Sequence, residues 1–474
     1  MNLILKTLRL LLTISLLLVA GLNWAATPFA ARAQDTAPAN GPTYVVQPGD
    51  TLFAIARQFG VTLDALQAAN PTISANALPV GATLVIPGYA QVQGPLLTHF
   101  VEAGETVSSL APRFGMERAT LVKLNRLVNP DRVFINQPLV RVGTPEFAPL
   151  ANGLSASVAA GQSALAELAA RNQNIWAVAG LNRQASARAL LAQSSFYLAG
   201  GDAPLKALPP LFREFSLRPA PFVQGGTLAV KVVMEKPVQI SGALGRWPMV
   251  FNADPAQPNT YYGLLAIYRL AEPNLYPLVL TATVESEVIG RFAQDLPVRA
   301  GDYGSDPPLT VPPETLDPAN IQPEFEKIMS IISQNSPVKM WNGLFALPSV
   351  GSLRSLFGSL RSYNGGPYDS FHGGVDFSGG DDRPITAPAP GVVVLAEPLT
   401  VRGNSVIVDH GWGVFTGYWH QSRMEVQVGQ KIETGQIIGY NGSTGRVTGP
   451  HLHWEVFVAT IQTNPLIWTE TEFP

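Results

Sequence analysis

The sequence predicts a multidomain, β-rich chain with an internal repeat near its N-terminus and a histidine-bearing domain at its C-terminus. Length and composition set the class: 474 residues exceed one ordinary domain. Hydrophobic residues make up 46%, charged residues only 14%, and there are 43 Gly and 41 Pro, a balance that favours strands and turns over charged helices. The repeat is gapless, with Thr43 falling on Thr98 and Asn70 on Asn125. The histidines are clustered: of six, five lie at or beyond position 372.

Other counts exclude whole classes of function. There is no cysteine, so disulfides, iron–sulfur clusters, thiolate metal sites, a Cys nucleophile and a lipoprotein anchor are ruled out, and any metal must be held by His and carboxylate. Lys+Arg 31 against Asp+Glu 34 gives a net charge of −3. With no basic run or basic–aromatic interleaving, no nucleic-acid partner is expected. Lys6 and Arg9 precede the apolar run Leu10 to Ala20, and Ala31-Arg32-Ala33 supplies an A-x-A cleavage pattern, so residues 1–33 read as a signal peptide. An uncleaved anchor is the alternative and would be the only membrane contact. Either way the remainder is expected outside the cytoplasm: secreted, periplasmic or cell-wall associated.

The repeat comes first in chain order. Thr43-Tyr-Val-Val-Gln-Pro-Gly-Asp-Thr51 aligns with Thr98-His-Phe-Val-Glu-Ala-Gly-Glu-Thr106, and Phe59-Gly60 with Phe114-Gly115. Each unit reads as a short strand, a Gly turn and a Thr N-cap. A helix with apolar Leu52, Ile55, Ala56 and Phe59 follows and stops at Gly60. A second helix (Thr62 to Ala69) and a strand ending Leu84-Val85-Ile86-Pro87 complete a βααβ unit. These residues resemble LysM modules over 43–88, closely through Val46-Gln-Pro-Gly-Asp-Thr-Leu52, Ala69-Asn-Pro71 and Ile86-Pro-Gly88. The copy at 98–143 is degenerate, with Ala103 for the Pro, Glu105 for the Asp and Val140-Arg-Val-Gly143 at its end. The resemblance implies binding of N-acetylglucosamine-containing glycan at Gly49, Asp50, Thr51, Leu52, Asn70, Pro71 and Ile73. His99 is expected at the surface.

Residues 150–200 are Ala-rich, with helical spacing at Leu165 to Ala170 and at Ala187 to Ala192, and read as a helical connector. Over 215–301, short alternating runs such as Thr227 to Val233 and Tyr276 to Thr283 predict a small antiparallel β-sandwich. A Pro-rich linker with one helix (Pro323 to Gln334) spans 302–345, leaving 346–474 as the last domain.

The chemistry is expected there. Three signatures carry histidine: Phe371-His-Gly-Gly-Val-Asp-Phe377, Gly417-Tyr-Trp-His-Gln-Ser422 and Thr448-Gly-Pro-His-Leu-His-Trp-Glu455. A catalytic zinc takes about three His/Asp/Glu ligands and keeps a fourth position for water. His451 and His453 leave the same face of a strand, about 7 Å apart at Cα, so one can ligate metal while the other reaches the water. His372 and Asp376 are too far apart for one metal on an extended strand, and Gly373-Gly374 can supply the bend. Two imidazoles and one carboxylate leave Zn2+ with a net charge of +1, still strongly polarising.

These stretches resemble the lysostaphin-type zinc metalloendopeptidases, with their H-x3-D and H-x-H motifs. The likeness extends through Ser355-Leu-Phe-Gly358, Ala387-Pro388, Gly391-Val-Val393, Gly403-Asn404, His410-Gly411 and Gly442-Ser-Thr-Gly-Arg446. It implies a mainly antiparallel β-sheet metallopeptidase domain with one Zn2+ held by His372, Asp376 and His453, and with His420 and His451 as non-ligand catalytic histidines. It implies a peptidoglycan substrate whose peptide part meets the zinc site. Two departures are Trp419-His-Gln421, where the family often has Ala-His-Leu, and Trp454, where Phe is commoner. His410 is expected in a supporting role, and Glu455 either orients a ligand histidine or is solvated. The competing function is a catalytically silent wall-binding activator of another hydrolase; the complete ligand set favours activity.

Overall fold

The computed structural model describes residues 41–74, 78–89, 92–143, 153–157, 163–171, 173–182, 195–199, 208–209, 211–380 and 382–474. The expected signal peptide and the helix expected at Ala187 to Ala192 lie outside them. Two compact units divide at Pro95. Among the described residues no helix is long and apolar enough to cross a membrane.

The first unit is one βααβ module: β1 (Pro42–Val45), α1 (Leu52–Phe59), α2 (Leu63–Ala69) and β2 (Thr83–Val85). Thr51 Oγ1 caps α1 by accepting from Ala54 N at 3.1 Å, and Gly60 ends it with φ 66°, the left-handed conformation that glycine alone adopts freely. Leu52, Ile55, Ala56, Phe59 and Leu66 form the core.

The second unit opens on the repeat's second copy: β3 (Gly94–Phe100), α3 (Val107–Arg113), α4 (Arg118–Leu124) and β4 (Pro138–Val142). Thr106 and Ser109 close a reciprocal capping box. His99 is a correction to the expectation of a surface residue. Its Nε2 lies 2.7 Å from Oε2 of the buried Glu105. In the first copy the equivalent residues are Tyr44 and Asp50, whose hydroxyl–carboxylate bond is 2.8 Å.

The expectation of a purely helical connector at 150–200 is also corrected. Helices α5 (Ala164–Ala170) and α6 (Ile175–Leu181) are flanked by strands β5 (Gly153–Ser157) and β6 (Ser195–Ala199), paired antiparallel. Next come β7 (Phe212–Arg218), β8 (Thr227–Met234), β9 (Gln239–Leu244), β10 (Trp247–Ala253), β11 (Thr260–Ala266), β12 (Asn274–Val284) and β13 (Glu287–Val298). Instead of two separate layers they make one antiparallel sheet in the order 13-12-9-10-11-8-7. The halves stay joined because β10 pairs with β9 through Trp247–Met249 and with β11 through Val250–Ala253. The sheet curls until its edge strands meet, Phe215 and Phe292 stacking at 4.4 Å.

Residues 302–345 are bound into the last domain rather than forming a linker, so a boundary at 346 falls too late. Asp306 N and Leu309 N donate to Leu360 O and Ser362 O at 2.9 Å, Met340 N donates to His410 O, and Trp341 is buried. Helix α7 (Pro318–Ile332) starts five residues before the expected Pro323, because Asp317 caps it and Pro318 fits its first turn. The domain continues with β14 (Leu353–Ser355), β15 (Leu360–Arg361), β16 (Ser370–Phe371), β17 (Val375–Ser378), β18 (Pro384–Thr386), β19 (Gly391–Leu399), β20 (Gly403–Asp409) and β21 (Val414–Gln421). It closes with β22 (Arg423–Met424), β23 (Lys431–Ile432), β24 (Ile437–Tyr440), β25 (His451–Val458), β26 (Ile461–Thr463) and α8 (Pro465–Glu470). Its main sheet runs 14-17-25-21-20-19-23, with β26 also on β25. Its core of Val375, Phe377, Tyr418, Trp454 and Trp468 is continuous with Ala229, Leu264 and Ala266 of the curled sheet.

Candidate metal centre

Register brings the expected ligands together. Strand β25 lies between β17 and β21, and its His453 sits directly opposite Asp376 on one side and Trp419 on the other. Opposed residues on neighbouring strands lie about 5 Å apart at Cα. Position 451 pairs with Ser378, two places along the same face. His372 arrives from the turn before β17. The chain bends at Gly374, although neither Gly373 nor Gly374 takes a positive φ; both glycines are also required by space. A Cβ on Gly374 would run into Trp454 O, and one on Gly373 into Gln462 and Glu455. His420, next to the end of β21, has φ 66°, an uncommon conformation for a side chain this large. It turns the ring towards His451 and His453, with centroids 5.0 and 6.1 Å away.

Hydrogen bonds outside the cluster favour one tautomer for each ring, since a carbonyl or carboxylate partner there takes an N–H. His372 Nδ1 faces Leu356 O at 3.0 Å and Ser355 Oγ at 3.0 Å, so Nε2 presents its lone pair. His453 Nε2 donates to Glu455 Oε1 at 3.0 Å, so Nδ1 presents its own. These two atoms and Asp376 Oδ1 form a triangle with sides of 2.7, 2.8 and 2.9 Å. Three converging acceptors are what a cation satisfies, and the two-nitrogen, one-oxygen set suits zinc. Among the described residues this is the one group of three or more metal-capable side chains with converging ligand atoms. His451 and His420 stay off the triangle. Their Nδ1 atoms donate to Gly449 O at 2.7 Å and Thr444 O at 2.8 Å, leaving each Nε2 as an acceptor. His451 Nε2 is 3.7 Å from Asp376 Oδ1.

Partners beyond the triangle hold it in place. Arg361 Nη2 donates to the other Asp376 oxygen at 3.0 Å, and Arg361 Nε to Asp306 Oδ2 at 3.1 Å. Ser355 Oγ donates to Asp306 Oδ2 at 2.9 Å. Burial pushes His372 down to about 4 despite Asp376. Burial, with His451 and His453 nearby, puts His420 well below the usual range, and burial likewise lowers His451. For His453 burial opposes protonation, but Asp376 and Glu455 outweigh it and raise the ring. Burial would raise Glu455, yet its bond from His453 and that residue's charge hold it at about 2.

Of the residues held in view, Glu455 is an orienting partner and is not solvated. His410, fully buried, bonds Pro390 O and Thr416 Oγ1. The sequence offered no sign of Arg361 or Asp306, which act through a turn and a segment far from the histidine motifs. In the first module Gly49, Thr51 and Pro71 are exposed, and Asp50 and Ile73 half-buried. Leu52 is a core residue. Asn70 is buried and its amide is used internally, donating to Leu66 O at 2.9 Å and Val85 O at 2.8 Å while Oδ1 accepts from Val85 N. The structure thus gives both a role in the fold.

A buried His–Asp–His triangle with two spare histidines beside it, on an antiparallel sheet, defines a metallopeptidase-type centre. Residues 370–465 are a domain of Peptidase family M23, and residues 44–87 and 99–140 are LysM domains. The peptidoglycan DD-endopeptidase ShyA of Vibrio cholerae is 45% identical over 87 residues, 18% of this chain and 20% of that protein. The DD-carboxypeptidase/endopeptidase Mpg of Neisseria meningitidis is 38% identical over 95 residues, 20% of this chain and 22% of that protein. The matched region therefore spans about a fifth of these relatives. A crystal structure of an M23 peptidase from Pseudomonas aeruginosa aligns with 24% identity and a TM-score of 0.40, covering 53% of this chain and 96% of that one.

Proposed function

We propose that this chain is an exported zinc metalloendopeptidase that hydrolyses stem or cross-link peptides of bacterial peptidoglycan and is tethered to glycan strands by its LysM modules. The observation that carries the reading is the triangle of His372 Nε2, Asp376 Oδ1 and His453 Nδ1 with two acceptor imidazoles at its edge. Zinc held there would supply Lewis-acid polarisation of a carbonyl and a lowered pKa for water. The chain's own groups do the rest. His451 Nε2, its ring fixed by Gly449 O, takes the proton of the attacking water. Nδ1 of His420 is committed to Thr444 O, so this ring becomes a donor at Nε2 only when it carries a second proton. The proton that His451 takes from the water supplies it once passed to His420 Nε2, which then stabilises the oxyanion until it delivers that proton to the leaving amine. Two imidazolium rings 5.0 Å apart would repel, so the pair works with one proton between them. The names of the relatives favour a D–D peptide bond as the one cleaved. The exposed Gly49, Thr51 and Pro71, with Asp50 and Ile73, form the surface proposed for N-acetylglucosamine units.

The test uses the full chain loaded with zinc. Incubation with purified peptidoglycan is expected to release new free amino groups, and EDTA to abolish that release. His453→Ala is expected to lose metal, whereas His451→Ala keeps metal and loses turnover. Stoichiometric zinc with no amine release from several wall chemistries would leave the silent activator as the better reading. Equal loss of zinc in both variants would overturn the division of roles.

A further inference from the structure

We propose that residues 153–199 form a third, diverged copy of the glycan-binding module, taking the same class of ligand, a β-1,4 glycan containing N-acetylglucosamine. The inference rests on the glycan-tether part of the function above and extends it to a segment outside both LysM matches, 44–87 and 99–140.

The element order, strand–helix–helix–strand with antiparallel outer strands, already matches. The match goes further, because one step of 112 residues, without a gap, superposes the first copy on this segment. In the first copy Thr43 pairs with Val85, Tyr44 with Leu84 and Val45 with Thr83. Adding the step gives Ser155 with Tyr197, Ala156 with Phe196 and Ser157 with Ser195, which is the observed ladder of β5 and β6. The cap Thr51 falls on Ser163, which caps α5 in the same way by accepting from Ala166 N. Buried Leu52, Ala56 and Leu66 fall on buried Ala164, Leu168 and Val178, and the closing pair Leu84 and Ile86 on buried Phe196 and Leu198.

Asn70 falls on Asn182, also buried, and its side chain makes the same bond four residues back: Asn70 Nδ2 to Leu66 O at 2.9 Å, Asn182 Nδ2 to Val178 O at 2.7 Å. The second copy repeats that bond from Asn125 to Leu121 O at 3.0 Å. An Ala-rich helical spacer has no need of a cap at 163, a buried amide at 182 and a fixed strand register between them. All three follow from one ancestral module. Ser163 is exposed, as Thr51 is.

Hydrogen exchange of the full chain, with and without chitopentaose, tests the proposal. Slowed exchange is expected in three windows, 49–73, 104–128 and 163–182. Slowing in the first or second window with none in 163–182 would make the third copy a spacer and overturn the proposal. No slowing in any window would overturn the glycan-tether reading together with it. The release of amino groups from peptidoglycan is read separately and keeps that failure distinct from failure of the peptidase reading.

Discussion

Glu455 makes no contact with the proposed metal, yet its removal should weaken zinc binding by a predictable amount. The carboxylate is buried, and its Oε1 accepts from His453 Nε2 at 3.0 Å and from Gln462 Nε2 at 3.1 Å. That bond selects the tautomer that leaves His453 Nδ1 free, and its charge makes the ring a better donor. Partners of this kind are worth about ten- to hundredfold in metal affinity, roughly 1.4 to 2.8 kcal/mol. Glu455→Ala should show the whole loss. Glu455→Gln still accepts the N–H and gives up only the charge. It should cost about 1 kcal/mol, roughly a fivefold weakening, since a charge-assisted bond is about twice as strong as a neutral one. Zinc competition against a chromophoric chelator, on full chains whose metal-free melting has been matched, gives the three dissociation constants. Glu455→Ala binding zinc as tightly as the unchanged chain would refute the reasoning, and equal losses in both variants would refute the split between tautomer and charge.

Proton and metal compete for His453 Nδ1, whose ring Asp376 and Glu455 raise against burial. Zinc uptake should therefore release protons, and affinity should fall as pH is lowered, as calorimetry in buffers of different ionisation heat would show. Gly374→Ala places a Cβ against Trp454 O and should destabilise the fold by about 3 kcal/mol, read in urea melts; an unchanged midpoint would contradict the packing. In the second module, burial would raise Glu105, but His99, Glu102 N and Arg113 together hold its carboxyl below its usual value. A depressed carboxylate stabilises above its unfolded pKa of about 4.5, and that stability is lost as pH falls through the lower folded value. Glu105→Gln should flatten the acid limb of the module's stability curve.

What was legible in the sequence was whatever short-range spacing fixes. The H-x-H pair lies on one strand face, and the caps at Thr51 and Thr106 stand where the apolar period begins. Register between distant strands is not written in either strand alone, so Asp376 opposite His453 came from family likeness before the structure showed it. His420's φ has no signature, because the left-handed turn coincides with a break in register between β20 and β21, which neither strand records alone. Segment 302–345 read as a linker because its prolines suppress regular elements, although its backbone hydrogen bonds go to the peptidase loops. The third module was hidden by alanine. In α5 the described buried positions are Ala164 and Leu168, where α1 buries four residues, so the amphipathic signal faded while the cap and the amide stayed.

The core shared by the curled sheet and the peptidase sheet governs how the molecule comes apart. Thr227 Oγ1 lies 2.9 Å from Thr463 Oγ1, Trp468 Nε1 donates to Thr227 Oγ1 at 3.2 Å, and Asn464 N donates to Gly225 O at 2.8 Å. Ala229, Leu264 and Ala266 are buried against the cluster around Trp341 and Trp468. Two sheets that share buried side chains lose them together, so denaturant should melt them in one transition with the steep dependence of a large exposed area. A chain cut at 346 would instead carry an open apolar face and lack Trp341 and Phe345 altogether. The smallest autonomous piece that holds the His–Asp–His triangle should therefore include the curled sheet, whose core also takes in Ala103, Ile135 and Leu208.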